Sequence, residues 1–441
     1  MSKVRAPVTN LVCRPFVRNV ATVATGAAAS QVITMAFAPI VTRLYGPEAY
    51  GLQGIFMTVV GLLTTVAALG YPTALVLPRS DADARGIARL SLYLGLIVTA
   101  AVILLLASFG KEFLALLNAE AISPFLYLIP AAMMISVLAA VLGQWLIRKK
   151  AFRIIASYGV ATALLLGAIK TMAGLINPSA LALIAANVFG GLVGAALTFL
   201  GWRHASRSAE PEADEKHVRR TLWQLAKQHG DFPTLRTPQN LINAFSHSLP
   251  VLLLANFFGA ASAGQYGIAV AVLGLPTSVI GGSVTAVFYP RINEAIRRGE
   301  NARALIVKAT MGMAATGALP FVVILVAGPI LFAFVFGKEW YTAGVYAQLL
   351  ALWLFFQYIN RPAVSAIPVL RLQGRFLIYE LFSTGTKLLA LWLGFVHFKS
   401  EFAAIALFSL FGVLAYAWLI LWVIHRSGDL PISDDPKAAC P

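Results

Sequence analysis

Apolar and polar positions fall along this chain in long blocks. Runs of about twenty apolar residues recur, each closed by a short polar segment, and about twenty suffice for one helix to cross a ~30 Å hydrocarbon core. Twelve runs can be drawn, near 18–42, 50–76, 87–109, 122–147, 154–173 and 179–201, then near 235–258, 263–288, 304–335, 342–368, 375–396 and 401–425. The longest polar stretch, 202–234, contains Pro211 and divides the runs six and six. The pattern predicts an N-terminal segment 1–17, a six-helix lobe 18–201, a linker 202–234, a second six-helix lobe 235–425 and a tail 426–441. The ninth run is over-long. Its Pro320, Gly328 and Pro329 predict a break or a re-entrant end.

Composition agrees with the pattern. Of 441 residues, 59% are hydrophobic and only 12% charged, against about 25% charged in soluble domains. Mean hydropathy is +0.79. The chain is read as an all-α polytopic membrane protein with about 12 transmembrane helices. Lys3, Arg5, Arg14 and Arg18 precede an apolar run that continues past Pro39, too long for a cleaved signal.

The net charge of +16 would suggest nucleic acid in a soluble protein, but the placement of the charges gives another reason. With the N-terminus in the cytoplasm, about 26 of the 34 Lys and Arg fall on inside segments, such as Arg148, Lys149, Lys150 and Arg153. Arg43, Lys111, Lys338 and Lys399 fall outside. This positive-inside bias accounts for the charge without nucleic acid and places both termini in the cytoplasm.

No catalytic constellation, metal site or cofactor motif is apparent. Cys13 and Cys440 lie in polar tails and suit neither a disulfide framework nor a metal site. There is no Walker A motif. Asp81 and Asp83 have the spacing of a glycosyltransferase DxD but sit in a short loop beside Arg79 and Arg85, where a helix cap is the simpler reading. Asp434 and Asp435 lie in the Pro-containing tail.

A repeat links the two halves. Leu44-Tyr-Gly46-Pro-Glu-Ala-Tyr-Gly51-Leu-Gln-Gly54 resembles Phe257-Phe-Gly259-Ala-Ala-Ser-Ala-Gly264-Gln-Tyr-Gly267, with glycines at an offset of about 213. Pro78-Arg79 and Pro290-Arg291 follow in each copy. Six spans per half give both halves one orientation, related by an axis along the membrane normal, with a site between them.

These same residues carry a family resemblance. Arg43 to Gly51 and Ala74 to Pro78, then Asp231-Phe-Pro through Pro250, Phe258-Gly259, Ala263 to Tyr266 and Val287 to Arg291, resemble a Wzx-type polysaccharide or O-antigen flippase of the polysaccharide transporter family. The resemblance covers most of 18–300. It implies the multidrug/oligosaccharidyl-lipid/polysaccharide exporter fold, two six-helix lobes around a central cavity that opens alternately to each side. It also implies movement of an undecaprenyl-diphosphate-linked oligosaccharide across the bacterial inner membrane for capsule, O-antigen (lipopolysaccharide) or exopolysaccharide synthesis. The implied partners are that carrier lipid, the membrane lipids, and the polysaccharide polymerase and chain-length proteins.

Passing a diphosphate through hydrocarbon needs a hydrated, cationic path. Arginine grips phosphate bidentately and lysine supplies a point charge. Lys170, Arg236, Arg361 and Lys387 fall in spans or at their edges, where each costs roughly 2.5–3.5 kcal/mol at a helix centre. Lys170 lines the path or snorkels, and Arg236 receives phosphate or anchors at the interface. Gln357, Asn360 and Arg361 precede Pro362 and suggest a cavity wall. Lys387, seven residues after Glu380, either serves the path or links to that acid. In one helix Arg236, Asn240, Asn243 and His247 fall at i, i+4, i+7 and i+11, a single polar stripe. With Gln239 it lines the passage or acts as hydrogen-bonding glue between helices. Glu380, an acid well inside a span, is the candidate for ion coupling. An anion moving outward needs no coupling, since each charge gains about 2.3 kcal/mol per 100 mV. Gly190 and Gly194 form a GxxxG suited to close helix packing.

Two other readings stand beside this one. A peptidoglycan-precursor flippase or small-molecule exporter shares the fold, although the basic residues argue against cationic drugs. A membrane-embedded polymerase or glycosyltransferase would need a larger soluble segment than this chain offers.

Overall fold

The structure is a computed structural model that describes residues 9–78, 80–116, 120–208, 220–370 and 372–428. Arg79, Pro211, Arg371, Cys440 and the Asp434–Asp435 pair lie outside these residues. The described residues are helical and hold no strand. In order the helices are α1 (Thr9–Ala67), α2 (Tyr71–Ala74), α3 (Asp81–Leu116), α4 (Leu128–Arg148), α5 (Phe152–Ile176), α6 (Ala180–Ser208), α7 (Leu222–Gln228), α8 (Thr237–Phe258), α9 (Ala260–Leu273), α10 (Gly282–Arg297), α11 (Ala302–Phe336), α12 (Tyr341–Ile359), α13 (Arg361–Ala366), α14 (Gln373–Phe398) and α15 (Glu401–Gly428). Ten helical stretches among the described residues are long and apolar enough to cross a membrane. The count differs from twelve because two spans are joined and one is divided. The first two runs merge into the 59-residue α1, kinked where Gly46 adopts φ 69°. The eighth run divides into α9 and α10 around Gly274, Pro276 and a π-helical turn, Thr277–Gly281. Proline has no N–H to continue a helical ladder.

The chain forms two compact units. One takes the chain up to Phe37, then Phe56–Ala115 and Glu120–Phe245; the other takes Ala38–Ile55 and the chain from Ser246 onward. In the first unit Tyr71, Ile87, Val141, Trp145 and Leu225 pack into a core. Gly190, Gly194 and Gly201 of α6 leave room for Leu166, Thr162 and Tyr158 of α5, side chains that a Cβ would overlap, as the GxxxG spacing predicts. Asp81 opens α3 and pairs with Arg148 at 2.9 Å and Lys149 at 2.5 Å, and Arg148 also donates to the Pro78 carbonyl at 2.6 Å. The Ser80 hydroxyl accepts the Asp83 N–H at 3.1 Å. The DxD spacing is therefore built into a helix start and an ion pair.

The second unit packs Ile292, Ile306, Ala363, Ile367 and Leu419 into its own core. Arg291 of α10 pairs at 2.5 Å with Glu300, which follows the helix, and this hydrogen bond holds the Glu300 carboxyl below its usual range. The break expected in the ninth run does not occur, because α11 runs unbroken through Pro320 and Pro329. A proline frees the carbonyl four residues earlier. For Pro329 this is Leu325, and the Gln348 side chain of α12 donates to the Leu325 carbonyl at 2.8 Å. Gly328 and Gly344 meet backbone to backbone, so that a Cβ on Gly344 would lie 2.4 Å from Pro329 Cα. This glycine serves close packing and not a break. Gln348→Leu removes the donor and is expected to lower stability by about 0.5–1.5 kcal/mol, the net contribution of one hydrogen bond, since this bond lies on an exposed face. The midpoint of thermal unfolding in detergent measures it. An unchanged midpoint would mean that the carbonyl is satisfied in another way.

The repeat holds in three dimensions. Gly46 and Gly259 both take positive φ, 69° and 91°, with ψ of 171° and 169°. Gly54 and Gly267 both face space with nothing within 4 Å of an added Cβ. The middle glycines meet each other: a Cβ on Gly51 would lie 1.7 Å from the Ala260 carbonyl oxygen, and one on Gly264 would lie 2.1 Å from that of Pro47. Arg43 donates to the Phe334 carbonyl at 2.6 Å, and Trp340 Nε1 donates to the Thr42 carbonyl at 3.1 Å. These bonds hold the segment 38–55 within the second unit.

Candidate functional site

Polar groups from α12, α13, α14, α15 and the part of α8 from Ser246 onward come together in the second unit. The first feature is the break between α12 and α13. Pro362 lacks the N–H that would bond the Tyr358 carbonyl, so α12 stops at Ile359 and α13 restarts at Arg361. Asn360 and Arg361 stand at that break. Asn360 is 2% exposed, and its Oδ1 is buried without a hydrogen-bond partner among the described residues, as is Arg361 Nε. Arg361 packs toward Gly281 in the π-helical turn, where an added Cβ would lie 3.4 Å from Nε. A larger residue at 281 would press on the guanidinium.

Lys387 lies in the middle of α14. Its Nζ is 5.8 Å from the centres of both the Trp353 ring of α12 and the Tyr416 ring of α15, within the ~6 Å reach of a cation–π contact. Gln357 Nε2 donates to the Tyr416 hydroxyl at 3.1 Å. The two rings thus hold the ammonium in a frame that is itself tied to α12. Glu380 interacts electrostatically with Lys387, but no ion pair joins them among the described residues. His247 of α8 feels both Lys387 and Arg361. The Ser246 hydroxyl donates to Thr384 Oγ1 at 3.1 Å and ties α8 to α14 beside it.

The other sequence candidates lie elsewhere. Arg236, Gln239, Asn240 and Asn243 are exposed and belong to the first unit, as does the half-buried Lys170 of α5. Arg236 ends a π-helical stretch, Phe232–Arg236, and Asn240, Asn243 and His247 follow on α8. The wider π turn takes Arg236 off the α-helical register of that stripe. The structure therefore gathers Gln357, Asn360, Arg361, Glu380, Lys387 and His247 in one unit. It leaves Lys170, Arg236, Gln239, Asn240 and Asn243 in the other.

Sequence reasoning missed Tyr416, Trp353 and the Ser246–Thr384 tie. Tyr416 and Trp353 read as ordinary aromatic members of apolar spans. A tyrosine in such a span needs a partner for its hydroxyl, and that was the available signal. Two cations, one acid and several neutral donors can bind an anion, with arginine as fork and lysine as point charge. No group of three or more His, Cys, Asp or Glu is placed to hold a metal ion among the described residues.

A model of a polysaccharide biosynthesis protein family matches residues 40–344. Comparison with curated proteins finds no match. Several solved structures share the fold. A multidrug resistance MATE family transporter of the MOP superfamily, in an inward-facing conformation, has a TM-score of 0.74 at 15% identity, over 92% of this chain and 96% of that one. A MATE in complex with MaL6 reaches 0.60 at 16% identity, over 94% and 96%. A MOP superfamily transporter from Pyrococcus furiosus, described by the reverse polarity of its binding pocket, reaches 0.58 at 15% identity, over 93% and 96%. At such identities the likeness establishes the fold, a polytopic helical membrane protein of the two-lobed MATE type.

Proposed function

This chain belongs to the polysaccharide biosynthesis protein family, and on that premise we propose that it flips an undecaprenyl-diphosphate-linked oligosaccharide across the bacterial inner membrane. One observation carries the reading. Arg361 and Lys387 both act on His247, and among the described residues Glu380 is the acid that acts on Lys387. Retaining two cations where each costs roughly 2.5–3.5 kcal/mol calls for an anion to offset them. A diphosphate supplies that anion. Gln357, Asn360, Tyr416 and His247 donate to phosphate or sugar oxygens without demanding one sugar. Within the first unit, Asn240, Asn243 and Gln239 are candidates for sugar hydroxyls and Arg236 for phosphate at entry.

Both termini lie in the cytoplasm in this reading, following the distribution of Lys and Arg. The inside-negative potential drives the anion outward at about 2.3 kcal/mol per charge per 100 mV. Glu380 is then a tuner of Lys387 and needs no coupled ion. The carrier lipid, the polymerase and the chain-length proteins are its working partners, and the chain performs no bond chemistry.

Deletion of the gene in its host tests the reading. The expected result is loss of the surface polysaccharide with the lipid-linked precursor held on the cytoplasmic face, restored by the wild-type chain. Normal polymer output after a clean deletion, in a host with no second transporter, would sink it. Loss of viability in place of loss of polymer would assign the chain to the peptidoglycan precursor.

A further inference from the structure

Helices α14 and α15 enclose a cavity of about 670 Å³, lined among others by Arg375, Tyr379, Phe382, Leu414, Trp418 and Trp422. Its wall is a stack of rings. Tyr379 and Trp418 are 5.5 Å apart and 15° from parallel, and Trp418 and Trp422 are 5.6 Å apart and 7° from parallel. Phe382, Leu414 and Trp418 are 71%, 57% and 52% exposed, so the groove opens at the surface of the unit. Its one formal charge is Arg375, exposed in the first turn of α14 and paired with no carboxylate among the described residues.

We propose that this groove binds the hydrocarbon tail of the lipid-linked substrate, with the diphosphate resting on Arg375. Three features select that occupant. Volume is the first, since the cavity falls within the 300–1,000 Å³ range of small-molecule sites. Depth is the second. From Arg375 to Thr386 the lining runs eleven residues along α14, or about 16 Å at 1.5 Å per residue, which is about one leaflet of a ~30 Å core. A cation at one end and rings along the rest match a phosphate and its chain.

Continuity with the cationic cluster is the third feature. Residues 375, 379, 382 and 386 share one face of α14, and Glu380 and Lys387 lie roughly a third of a turn around the same helix. On α15 the groove takes Leu414, Trp418 and Trp422, and Tyr416 faces the cluster. A head entering the cluster can therefore keep its tail on the adjacent face of the same two helices. A diphosphate offers two cations more charge than the single phosphodiester of a bilayer phospholipid, so continuity favours the carrier lipid.

The proposal rests on the transport reading, and the test separates the two. The full-length protein in phosphatidylcholine nanodiscs is irradiated with a sugar-free polyprenyl diphosphate bearing a diazirine on its chain. Mass spectrometry is expected to place adducts on Phe382, Leu414 and Trp418. Leu414→Trp, which fills the groove, is expected to cut labelling about tenfold, and Arg375→Gln about fivefold. The exposed Arg375 carries no fold, so its variant stands even where Leu414→Trp fails to assemble. Phosphatidylglycerol with the same diazirine is expected to label weakly and not to compete. Adducts elsewhere, equal labelling by phosphatidylglycerol, or unchanged labelling in Arg375→Gln overturns the proposal. Arg375→Gln that loses labelling yet moves lipid-linked oligosaccharide at the wild-type rate in proteoliposomes also overturns it. Groove labelling by a wild-type protein that moves no such lipid supports the groove and overturns the transport reading alone.

Discussion

The double variant Arg361→Ala/Lys387→Ala is expected to reach the membrane at normal levels and to lose transport of lipid-linked oligosaccharide by two orders of magnitude or more. The size follows from what each cation can give a diphosphate. A hydrogen bond to a charged group contributes about 1.5–3 kcal/mol, so two give about 3–6 kcal/mol, a factor of roughly 10² to 10⁴. Assembly should not suffer, because removing a cation from a span lowers the cost of insertion. Single variants divide the effect. Arg361→Lys keeps the charge and loses the planar fork, so a large loss there points to bidentate grip. Lys387→Met keeps the packing against Trp353 and Tyr416 and removes only the charge. Initial rates in proteoliposomes and surface polymer in complemented cells are the measurements. Full activity in both single alanine variants would make these cations structural and would remove the site.

Much of the fold was legible in the chain alone, for identifiable reasons. Hydropathy locates spans because a bilayer demands long apolar runs. The cluster at Gln357, Asn360, Arg361 and Pro362 was legible because the polar residues and the helix breaker are neighbours in sequence. What joins distant helices was not. The frame around Lys387 is made by Trp353 and Tyr416, 34 and 29 residues away, and no local pattern pairs them. Unbroken α11 was hidden for the same reason, since the Leu325 carbonyl freed by Pro329 is satisfied by Gln348 on another helix. The polar stripe was half legible. Asn240, Asn243 and His247 follow the α-helical period, but the π turn ending at Arg236 changes the period just before them, and no residue there announces it. Matching of Gly51 with Gly264 was visible as a repeat. That the two glycines touch was not.

That contact sets the second large effect. Gly51 and Gly264 are helical, with φ outside the left-handed region. Alanine is therefore conformationally welcome at both, worth about 1 kcal/mol in helix propensity. Only the contact opposes it. A Cβ on Gly264 would lie 2.1 Å from the Pro47 carbonyl oxygen and 2.8 Å from the Gly51 nitrogen. Both obstacles are backbone, which cannot rotate away as a side chain can. The segment 38–55 would have to move off α9, and overpacking of this kind costs about 1–3 kcal/mol or more. The Arg43 and Trp340 hydrogen bonds into this segment would be strained with it. Gly264→Ala is thus expected to lower the unfolding midpoint in detergent despite its better helix propensity, and Gly264→Val to prevent assembly of the segment and abolish complementation. Gly54→Ala and Gly267→Ala supply the control, because nothing lies within 4 Å of a Cβ at either position. Both should leave the midpoint unchanged or raise it. The opposite signs, within one repeated motif, isolate the contact from every effect of composition. A Gly264→Ala protein as stable as Gly267→Ala would show that the two copies of the motif do not meet.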